Sequence, residues 1–245
     1  MLELKNVSFQ VEDKGKCLKI IDDISLTIPK DKFIVITGPN GGGKSTLAKI
    51  IMGIETPTSG KILLDGEDIT GKSITERAKL GIGYAFQQPP RFKGMTVNDL
   101  LKLAHGGELP SEVCCEFLTK VGLCSKDYLY REVDNSLSGG EVKRIEIATL
   151  LARELRIAIY DEPEAGIDLW SFKMLVETFK EMGKGHHESV IIISHQERIM
   201  NLADDIIVIA EGKIKTMGSK EDILPNLLGE VDTAACGLHK KEEAK

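Results

Sequence analysis

The sequence contains little of what marks membrane-spanning, secreted or nucleic-acid-binding proteins. Its apolar runs, such as SVIIIS and DDIIVIA, are short, whereas a membrane-spanning helix needs roughly 18 apolar residues. The first ten residues, MLELKNVSFQ, alternate like a strand and have no signal peptide's apolar segment. Lys and Arg number 32 against 38 Asp and Glu, giving a net charge of −6 without a basic stripe. We therefore expect a cytoplasmic protein with no direct membrane insertion and no nucleic-acid partner.

The five cysteines also form no recognisable pattern, because none belongs to a C-x-x-C pair. An odd number of scattered cysteines fits reduced thiols. Cys114 and Cys115 lie in SEVCCEFLTKVGL, whose spacing predicts ordinary packing in an amphipathic helix. Cys236 and His239 form a C-x-x-H in a polar tail, which provides too few ligands for a metal site.

Short apolar runs that alternate with helical patterns predict an α/β fold. A strand at 33–37 leads through a glycine-rich turn into a helix, and strands and helices alternate again from residue 156. This order predicts a mostly parallel sheet covered on both faces. Strands at 2–9 and 17–28, and a hairpin turning at Asp65-Gly66, predict an N-terminal β arm. A helical run predicts an inserted subdomain at about 90–145.

The stretch GPNGGGKST fits the phosphate-binding pattern G-x-x-x-x-G-K-[ST] and lies between a predicted strand and a predicted helix, as the pattern requires. Glycine amides can turn inward around phosphate oxygens. Lys44 would face the β and γ phosphates, and the Ser45 hydroxyl would bind Mg²⁺. A glycine-rich turn without a ligand is the alternative. The predicted phosphate-binding residues are Gly38, Pro39, Asn40, Gly41, Gly42, Gly43, Lys44, Ser45 and Thr46.

Three other apolar strands end in candidate metal-binding or catalytic residues. RIAIY is followed by Asp161, whose carboxylate can hold Mg²⁺, and by Glu162, which can orient or deprotonate an attacking water. SVIIIS is followed by His195, which could reach the γ-phosphate. IGYAF is followed by Gln87, whose amide could bind Mg²⁺ or the attacking water. Each residue alone would fit an ordinary loop, but after a phosphate-binding loop they predict nucleotide hydrolysis.

The stretch NSLSGGEVKR predicts a second anion site. Ser138 and Glu141 have the spacing of a capping box at a helix start. Gly139 and Gly140 leave the backbone N–H groups of that helix end uncovered, and such an end binds anions. The chain therefore has two predicted anion sites, one around Lys44 and one around Ser138.

Five elements in order, GPNGGGKST, FQQP, LSGGE, AIYDEP with AGID, and ISH, resemble the ATP-binding-cassette (ABC) ATPases. The resemblance covers about residues 1–225 and leaves 226–245 as a C-terminal tail. It implies an ABC-type P-loop NTPase core that binds ATP and Mg²⁺ and hydrolyses ATP. It also implies an ATP-dependent homodimer, in which Ser138, Gly139 and Gly140 contact the γ-phosphate of a nucleotide held by a second chain. Asp168 would lie along that interface.

Within the family, three features resemble SufC, the soluble ATPase of the SUF iron–sulfur cluster assembly system. They are LSGGEVKRIEI, SHQERIMN, and a VEDK stretch where other members place an aromatic residue against adenine. Phe9 is a candidate substitute for that aromatic, or a core residue on the same face as Val11. This resemblance implies SufB/SufD-like scaffold partners. The alternative is the nucleotide-binding subunit of a membrane ABC transporter. Either partner is expected to dock near QPPRFKGM, residues 88–95.

Overall fold

The computed structural model describes residues 1–13, 15–183 and 188–227. In chain order, the strands are β1 Leu2–Asp13, β2 Lys16–Ile28, β3 Phe33–Thr37, β4 Ser59–Leu64, β5 Glu67–Asp68, β6 Ile82–Ala85, β7 Phe92–Thr96, β8 Glu132–Val133, β9 Ile157–Asp161, β10 Ser189–Ile193, β11 Asp205–Ala210 and β12 Lys213–Ser219. The helices are α1 Lys44–Met52, α2 Ile74–Lys79, α3 Val97–His105, α4 Ser111–Lys120, α5 Ser125–Tyr128, α6 Gly139–Leu151, α7 Leu169–Met182 and α8 Glu197–Met200.

A six-stranded sheet lies at the centre, in the order β12-β11-β3-β10-β9-β6. Five strands are parallel, and β12 pairs antiparallel with β11. All residues of β3, β9 and β10 are buried, as expected for parallel strands covered on both faces. The predicted α/β fold with a mostly parallel sheet is therefore confirmed. This strand order brings the carboxyl ends of β3, β10, β9 and β6 to one edge, where the site lies.

The two faces of the sheet pack against two separate cores. Ile34 and Ile36 of β3 face the core that contains α1 and the β arm. Val35, from the same strand, faces the core built from the inserted helices and α7. The alternation follows directly from the two-residue repeat of a strand. Cys114 is buried in the second core, as its helical pattern predicts.

The N-terminal arm is a four-stranded antiparallel sheet in the order β2-β1-β4-β5. The sequence predicts a loop between 9 and 17, but pairing continues through Val11–Leu18 to Asp13–Lys16. Antiparallel ribbons tolerate water on their faces, so these polar residues remain in strands. Phe9 is partly buried against the core, whereas Val11 is 36% exposed.

Helices α3 to α6 and the small β7-β8 sheet form the segment inserted between β6 and β9. Capping boxes open α3 at Thr96 and α6 at Ser138, and the second confirms the helix start predicted at Ser138. The sequence patterns do not predict β7, β8, α2 or α5, because elements of two to six residues are too short for a clear repeat. Most of the predicted tail, and with it Cys236 and His239, lies outside the described residues.

Helix α1, which begins at the phosphate-binding loop, is also held at its far end. The last four carbonyls of a helix have no partner within it. The guanidinium of Arg77, which is 1% exposed, donates to the carbonyls of Ile50 and Ile51 at 2.7 and 2.8 Å. Gly53 closes the helix in the left-handed conformation with φ 83°. These contacts fix the axis of the helix that presents Lys44 and Ser45.

Candidate nucleotide-binding and catalytic site

The loop of residues 38–43 connects β3 to α1 in a conformation that requires glycine. Gly38 has φ 129°, and a Cβ placed there would lie 2.1 Å from the Ile209 carbonyl oxygen. Gly43 has φ 104°, and its Cβ would lie 2.9 Å from the carbonyl oxygen of Ile20. The loop therefore turns tightly against the sheet and the arm. Residues 40–46, from the loop and the start of α1, line an open cavity with Gln87 and Glu162.

Lys44 lies over this loop instead of extending into solvent. Its ammonium group donates to the carbonyls of Gly38 and Pro39 at 2.7 and 2.9 Å, and the residue is 5% exposed. Burial lowers the pKa of Lys44, while the nearby carboxylates of Glu162 and Asp161 act in the opposite direction. The lysine is thus placed as a charge within the loop, as phosphate binding requires.

Asp161 and Ser45, two of the predicted metal ligands, are in direct contact. The Ser45 hydroxyl donates to Asp161 Oδ1 at 2.9 Å, and the hydroxyl of Tyr84 donates to Oδ2 at 2.8 Å. Asp161 is 1% exposed at the end of β9. Carboxylate and hydroxyl oxygens are the hard ligands that Mg²⁺ prefers, so this pair fits the metal.

Tyr84 has no predicted role in the sequence analysis. The sequence feature that indicates such a role is a tyrosine in an otherwise apolar strand, since a buried tyrosine hydroxyl usually finds a polar partner. Burial first, and then Asp161, raise the pKa of Tyr84. The phenol therefore stays protonated and can only hold the Asp161 carboxylate as a donor.

Glu162 adopts the left-handed conformation with φ 48°, which is uncommon for a residue with a side chain. Its Oε2 accepts a hydrogen bond from Gln87 Nε2 at 2.7 Å. The buried ammonium of Lys143 donates to the backbone carbonyls of Gln87 and Glu162 at 3.0 and 2.5 Å. Lys143, for which the sequence pattern predicts no role, therefore connects α6 to both residues.

His195 follows β10 at the same edge of the sheet. Its Nδ1 lies 3.5 Å from Oγ1 of Thr37, the residue immediately before the phosphate-binding loop. Burial, and then the positive charge of Lys44, lower the pKa of His195 from its usual 6.5. The imidazole is therefore neutral at pH 7 and has one ring nitrogen available as an acceptor.

The second predicted anion site lies in a separate cavity. Ser138, Gly139 and Gly140 line it with Gln87 and Lys143, and none of the three lines the cavity at Lys44. The structure therefore brings the Lys44, Asp161, Glu162 and Gln87 set together, but not the Ser138 group with it.

The start of α6 packs closely on the segment that leads to Asp168. A Cβ on Gly140 would lie 2.6 Å from the carbonyl oxygen of Gly166. Asp168 Oδ1 accepts from the backbone N–H groups of Trp170 and Ser171, both at 3.0 Å, and so caps α7. The backbone N–H of Ser171 is the largest of the causes that lower the pKa of Asp168. Residues 138–140 and Asp168 thus belong to one surface.

The family described as ABC transporter matches residues 21–165. The uncharacterized ABC transporter ATP-binding protein MJ0035 of Methanocaldococcus jannaschii is 39% identical over 227 residues, which are 89% of this chain and 88% of that protein. The chain belongs to the ABC transporter family. As an ABC ATPase it binds ATP with Mg²⁺ and hydrolyses ATP, which confirms the activity and the cofactors predicted from its motifs.

Other relatives of this ABC ATPase carry transporter names. The energy-coupling factor transporter ATP-binding protein EcfA1 of Mycoplasmopsis pulmonis is 35% identical over 92% of this chain and 85% of its own length. The sulfate/thiosulfate import ATP-binding protein CysA of Brucella melitensis biotype 1 is 34% identical over 83% of this chain. The match spans only 58% of that longer protein.

Solved structures agree on the fold. A dimeric ATP-binding cassette, MJ0796 with ADP and phosphate in a post-hydrolysis state, has a TM-score of 0.82 at 24% identity and covers 90% of this chain and 99% of its own. A nucleotide-free cassette from an ABC transporter has a TM-score of 0.75 at 27% identity and covers 94% and 95%. The MJ0796 cassette is a dimer in that post-hydrolysis structure.

The predicted SUF function is wrong, and so are the SufB/SufD-like partners inferred from it. The relatives are ATP-binding proteins of transporters, including a sulfate/thiosulfate importer and an energy-coupling factor transporter. The misleading segments have other physical roles. Residues 11–13 of VEDK pair with β2, and residues 141–147 form part of a helix that packs in the core. Neither segment identifies a partner. Among the described helices, none is long and apolar enough to cross a membrane.

Proposed function

We propose that this ABC ATPase is the ATP-binding subunit of a membrane transporter, whose membrane-embedded part is a separate chain. The observation that carries the proposal is the transporter assignment of relatives that align over most of this chain. The named relatives differ in what they serve, so the proposal extends to the class of machine and not to its cargo. The chain would act at the cytoplasmic face of the membrane, with residues 1–225 as the ATPase domain and about 90–145 as its helical subdomain.

An apolar groove beside the nucleotide site supports docking of such a partner. It has a volume of about 480 Å³ and lies between α2, α3, α6 and the segment that follows Gln87. Three large apolar side chains in its lining are exposed, Phe86 at 36%, Phe92 at 42% and Leu103 at 68%. Contiguous exposed apolar surface of this kind marks interaction sites. The groove includes part of QPPRFKGM, where the sequence places the partner.

The geometry suggests a role for each residue at the Lys44 cavity. Lys44 and the loop amides would bind the β and γ phosphates, and Ser45, Asp161 and Gln87 would hold Mg²⁺, which neutralises phosphate charge. Glu162 would accept the proton of the attacking water. His195, neutral and next to the loop, would orient the water or the γ-phosphate.

The separation of the two anion sites supports a composite site in a homodimer. Ser138, Gly139 and Gly140 line a cavity that shares Gln87 with the Lys44 cavity, and none of the three lines the Lys44 cavity itself. A second chain would supply them, with Asp168 along the interface. Two chains would then close around two ATP molecules and reopen after hydrolysis.

The proposed function is tested by affinity purification of the tagged chain from membranes of the source organism, solubilised in mild detergent. We expect an integral membrane protein to co-purify in stoichiometric amounts and the complex to hydrolyse ATP. The Lys44→Ala chain serves as a control, because it should retain the partner and lose hydrolysis. Recovery of only non-membrane scaffold proteins, or of no partner, would refute the proposal.

A further inference from the structure

Glu164, two residues after Glu162, has a carboxylate that is hydrogen-bonded on one side only. Its Oε1 accepts a hydrogen bond from the hydroxyl of Ser194 at 2.6 Å, and Ser194 is fully buried immediately after β10. Its Oε2 is buried and has no hydrogen-bond partner in the described part of the chain. Burial raises the pKa of Glu164, whereas the hydrogen bond from Ser194 lowers it. A carboxylate oxygen buried without a donor is costly, so the contact with Ser194 calls for a reason.

The Ser194 side chain also holds the turn that contains His195. Its oxygen accepts a hydrogen bond from the backbone N–H of Gln196 at 3.0 Å, and the backbone N–H of Ser194 donates to the carbonyl of Ile36 at 3.2 Å. A hydroxyl has one hydrogen, and because Glu164 accepts it, the lone pairs remain for Gln196. His195 therefore lies between two residues that are joined through one hydroxyl, and Glu164 sets the orientation of that hydroxyl.

The same contact joins the segments that carry the proposed base and the histidine. The backbone N–H of Glu162 donates to the carbonyl of Ile193 at 3.0 Å. The hydrogen bond from Ser194 to Glu164 follows one to two residues further along both segments. Residues 162–164 and 193–194 are thus linked twice, once through the backbone and once through side chains. These two links set the position of His195 relative to Glu162.

We propose that Glu164 is a positioning residue for ATP hydrolysis, which holds the Ser194 hydroxyl and thereby fixes His195 relative to Glu162. The inference rests on the roles proposed above for His195 and Glu162 and is independent of the transporter partner. Both residues act on the same reacting atoms, and a misplacement of about 1 Å can cost about 10²-fold in rate. The acceptor at Oε1 is the atom that matters, and nucleotide binding at the Lys44 loop does not depend on it.

The test compares Glu164→Ala, Glu164→Gln and Ser194→Ala in the full chain, with Ser189→Ala as a matched control. Ser189 lies in the same strand, is 4% exposed and donates its hydroxyl to the carbonyl of Pro29 at 2.9 Å, but at the end of β10 away from the site. Each substitution is made with His195 intact and in the His195→Ala chain. The kcat, the KM for ATP and the melting temperature are measured for every variant, with single-turnover reactions for slow ones.

We expect Glu164→Ala and Ser194→Ala to lower kcat by about ten- to hundredfold with little change in KM, because the reacting groups are misplaced while the phosphate-binding loop is intact. Glu164→Gln keeps an acceptor for Ser194 and should retain most of the parent turnover. Ser189→Ala should lower the melting temperature and leave kcat unchanged. In the His195→Ala chain, Glu164→Ala should cause no further loss, because the group that it positions is already absent.

Four results would overturn the inference and leave the proposed roles of His195 and Glu162 standing. They are parent-level turnover for Glu164→Ala, an equal loss for Glu164→Gln, a comparable loss for Ser189→Ala, and a further loss when Glu164→Ala is added to His195→Ala. An unchanged rate for His195→Ala itself would overturn the proposed role of His195 and the inference with it.

Discussion

Replacing Tyr84 with Phe tests whether the hydrogen bond to Asp161 supports both the fold and the metal site. The substitution removes one oxygen and preserves the ring, so its main effect is to delete this hydrogen bond. A hydrogen bond to a charged group contributes about 1.5–3 kcal/mol, and here its removal leaves Oδ2 of a carboxylate that is 1% exposed without its partner. We expect the free energy of unfolding to fall by about that amount. For a chain of this size, the melting temperature should fall by about 3–12 °C.

Tyr160 provides a matched control in the neighbouring strand. It is fully buried in β9, but its hydroxyl lies 4.0 Å from the Sδ atom of Met182, which is a weak acceptor. Tyr160→Phe removes the same atom at the same depth without leaving a carboxylate unpaired. Its free energy of unfolding should therefore change by less than about 1 kcal/mol.

Tyr84→Phe should also raise the Mg²⁺ concentration needed for half-maximal ATP hydrolysis. Tyr84 and Ser45 hold the two oxygens of Asp161 from opposite elements, β6 and α1, and so fix the carboxylate that we propose as a ligand of Mg²⁺. Loss of a residue that orients a metal ligand usually weakens metal binding by about ten- to hundredfold. Thermal unfolding and Mg²⁺ titration of both variants make the comparison. Equal destabilisation of the two variants, or an unchanged Mg²⁺ requirement for Tyr84→Phe, would refute the reasoning.

Three further expectations concern the nucleotide site and its surroundings. Lys44→Ala should weaken nucleotide binding measured by fluorescence competition, whereas Glu162→Gln should keep binding and lose about 10²–10⁴-fold in turnover; turnover at the parent rate would exclude Glu162 as the base. A mixture of Lys44→Ala and Ser138→Arg chains should regain ATPase activity that neither variant has alone. If crosslinked heterodimers gain no activity, a composite site in a dimer whose two sites act independently is contradicted. Burial raises the pKa of Glu146 and of Glu188 to about 7 from 4.5. The two buried carboxylates therefore destabilise the folded chain fully above pH 7, and this effect disappears towards pH 4.5, where both are protonated in the folded and the unfolded chain. The free energy of unfolding should rise as pH falls from about 8 to 5. Replacing both with Gln should flatten that rise in denaturant titrations, and an unchanged slope would contradict the assignment.

The sequence is most informative where chemistry and backbone conformation constrain the same residues. The glycines of the phosphate-binding loop, the cation at Lys44 and the carboxylates after a buried strand occupy fixed places in the chain, so their meeting at one sheet edge follows from strand order. The helix starts at Thr96 and Ser138 are equally predictable, because a capping box is a local contact between residues three apart. These are the parts of the fold that the structure confirms.

Contacts between distant segments could not be predicted in this way. Lys143 belongs to a helix whose pattern suggests a solvated charge, yet its ammonium is buried against two carbonyls from segments 56 and 19 residues away. Tyr84 binds a carboxylate 77 residues away. Glu146 lies in a groove that exists only when α3, α6 and the segment after β6 assemble. Choosing the partner class from short segments fails for a related reason, since residues 141–147 belong to a helix whose apolar side chains pack in the core.

Phe86 and Gln87 connect the groove with Glu162 and Asp161, the residues proposed to act in hydrolysis. The backbone N–H of Phe86 donates to Glu146 in the groove, and the side chain of the next residue, Gln87, donates to Glu162 in the catalytic cavity. The Phe86 ring also packs edge-on against Tyr84, 4.8 Å between centroids, and Tyr84 holds Asp161. A partner that moves this segment therefore displaces donors to both carboxylates. Coupling between two binding sites is reciprocal. If a nucleotide that tightens these contacts changes the affinity for the partner, the partner changes the affinity for the nucleotide by the same factor.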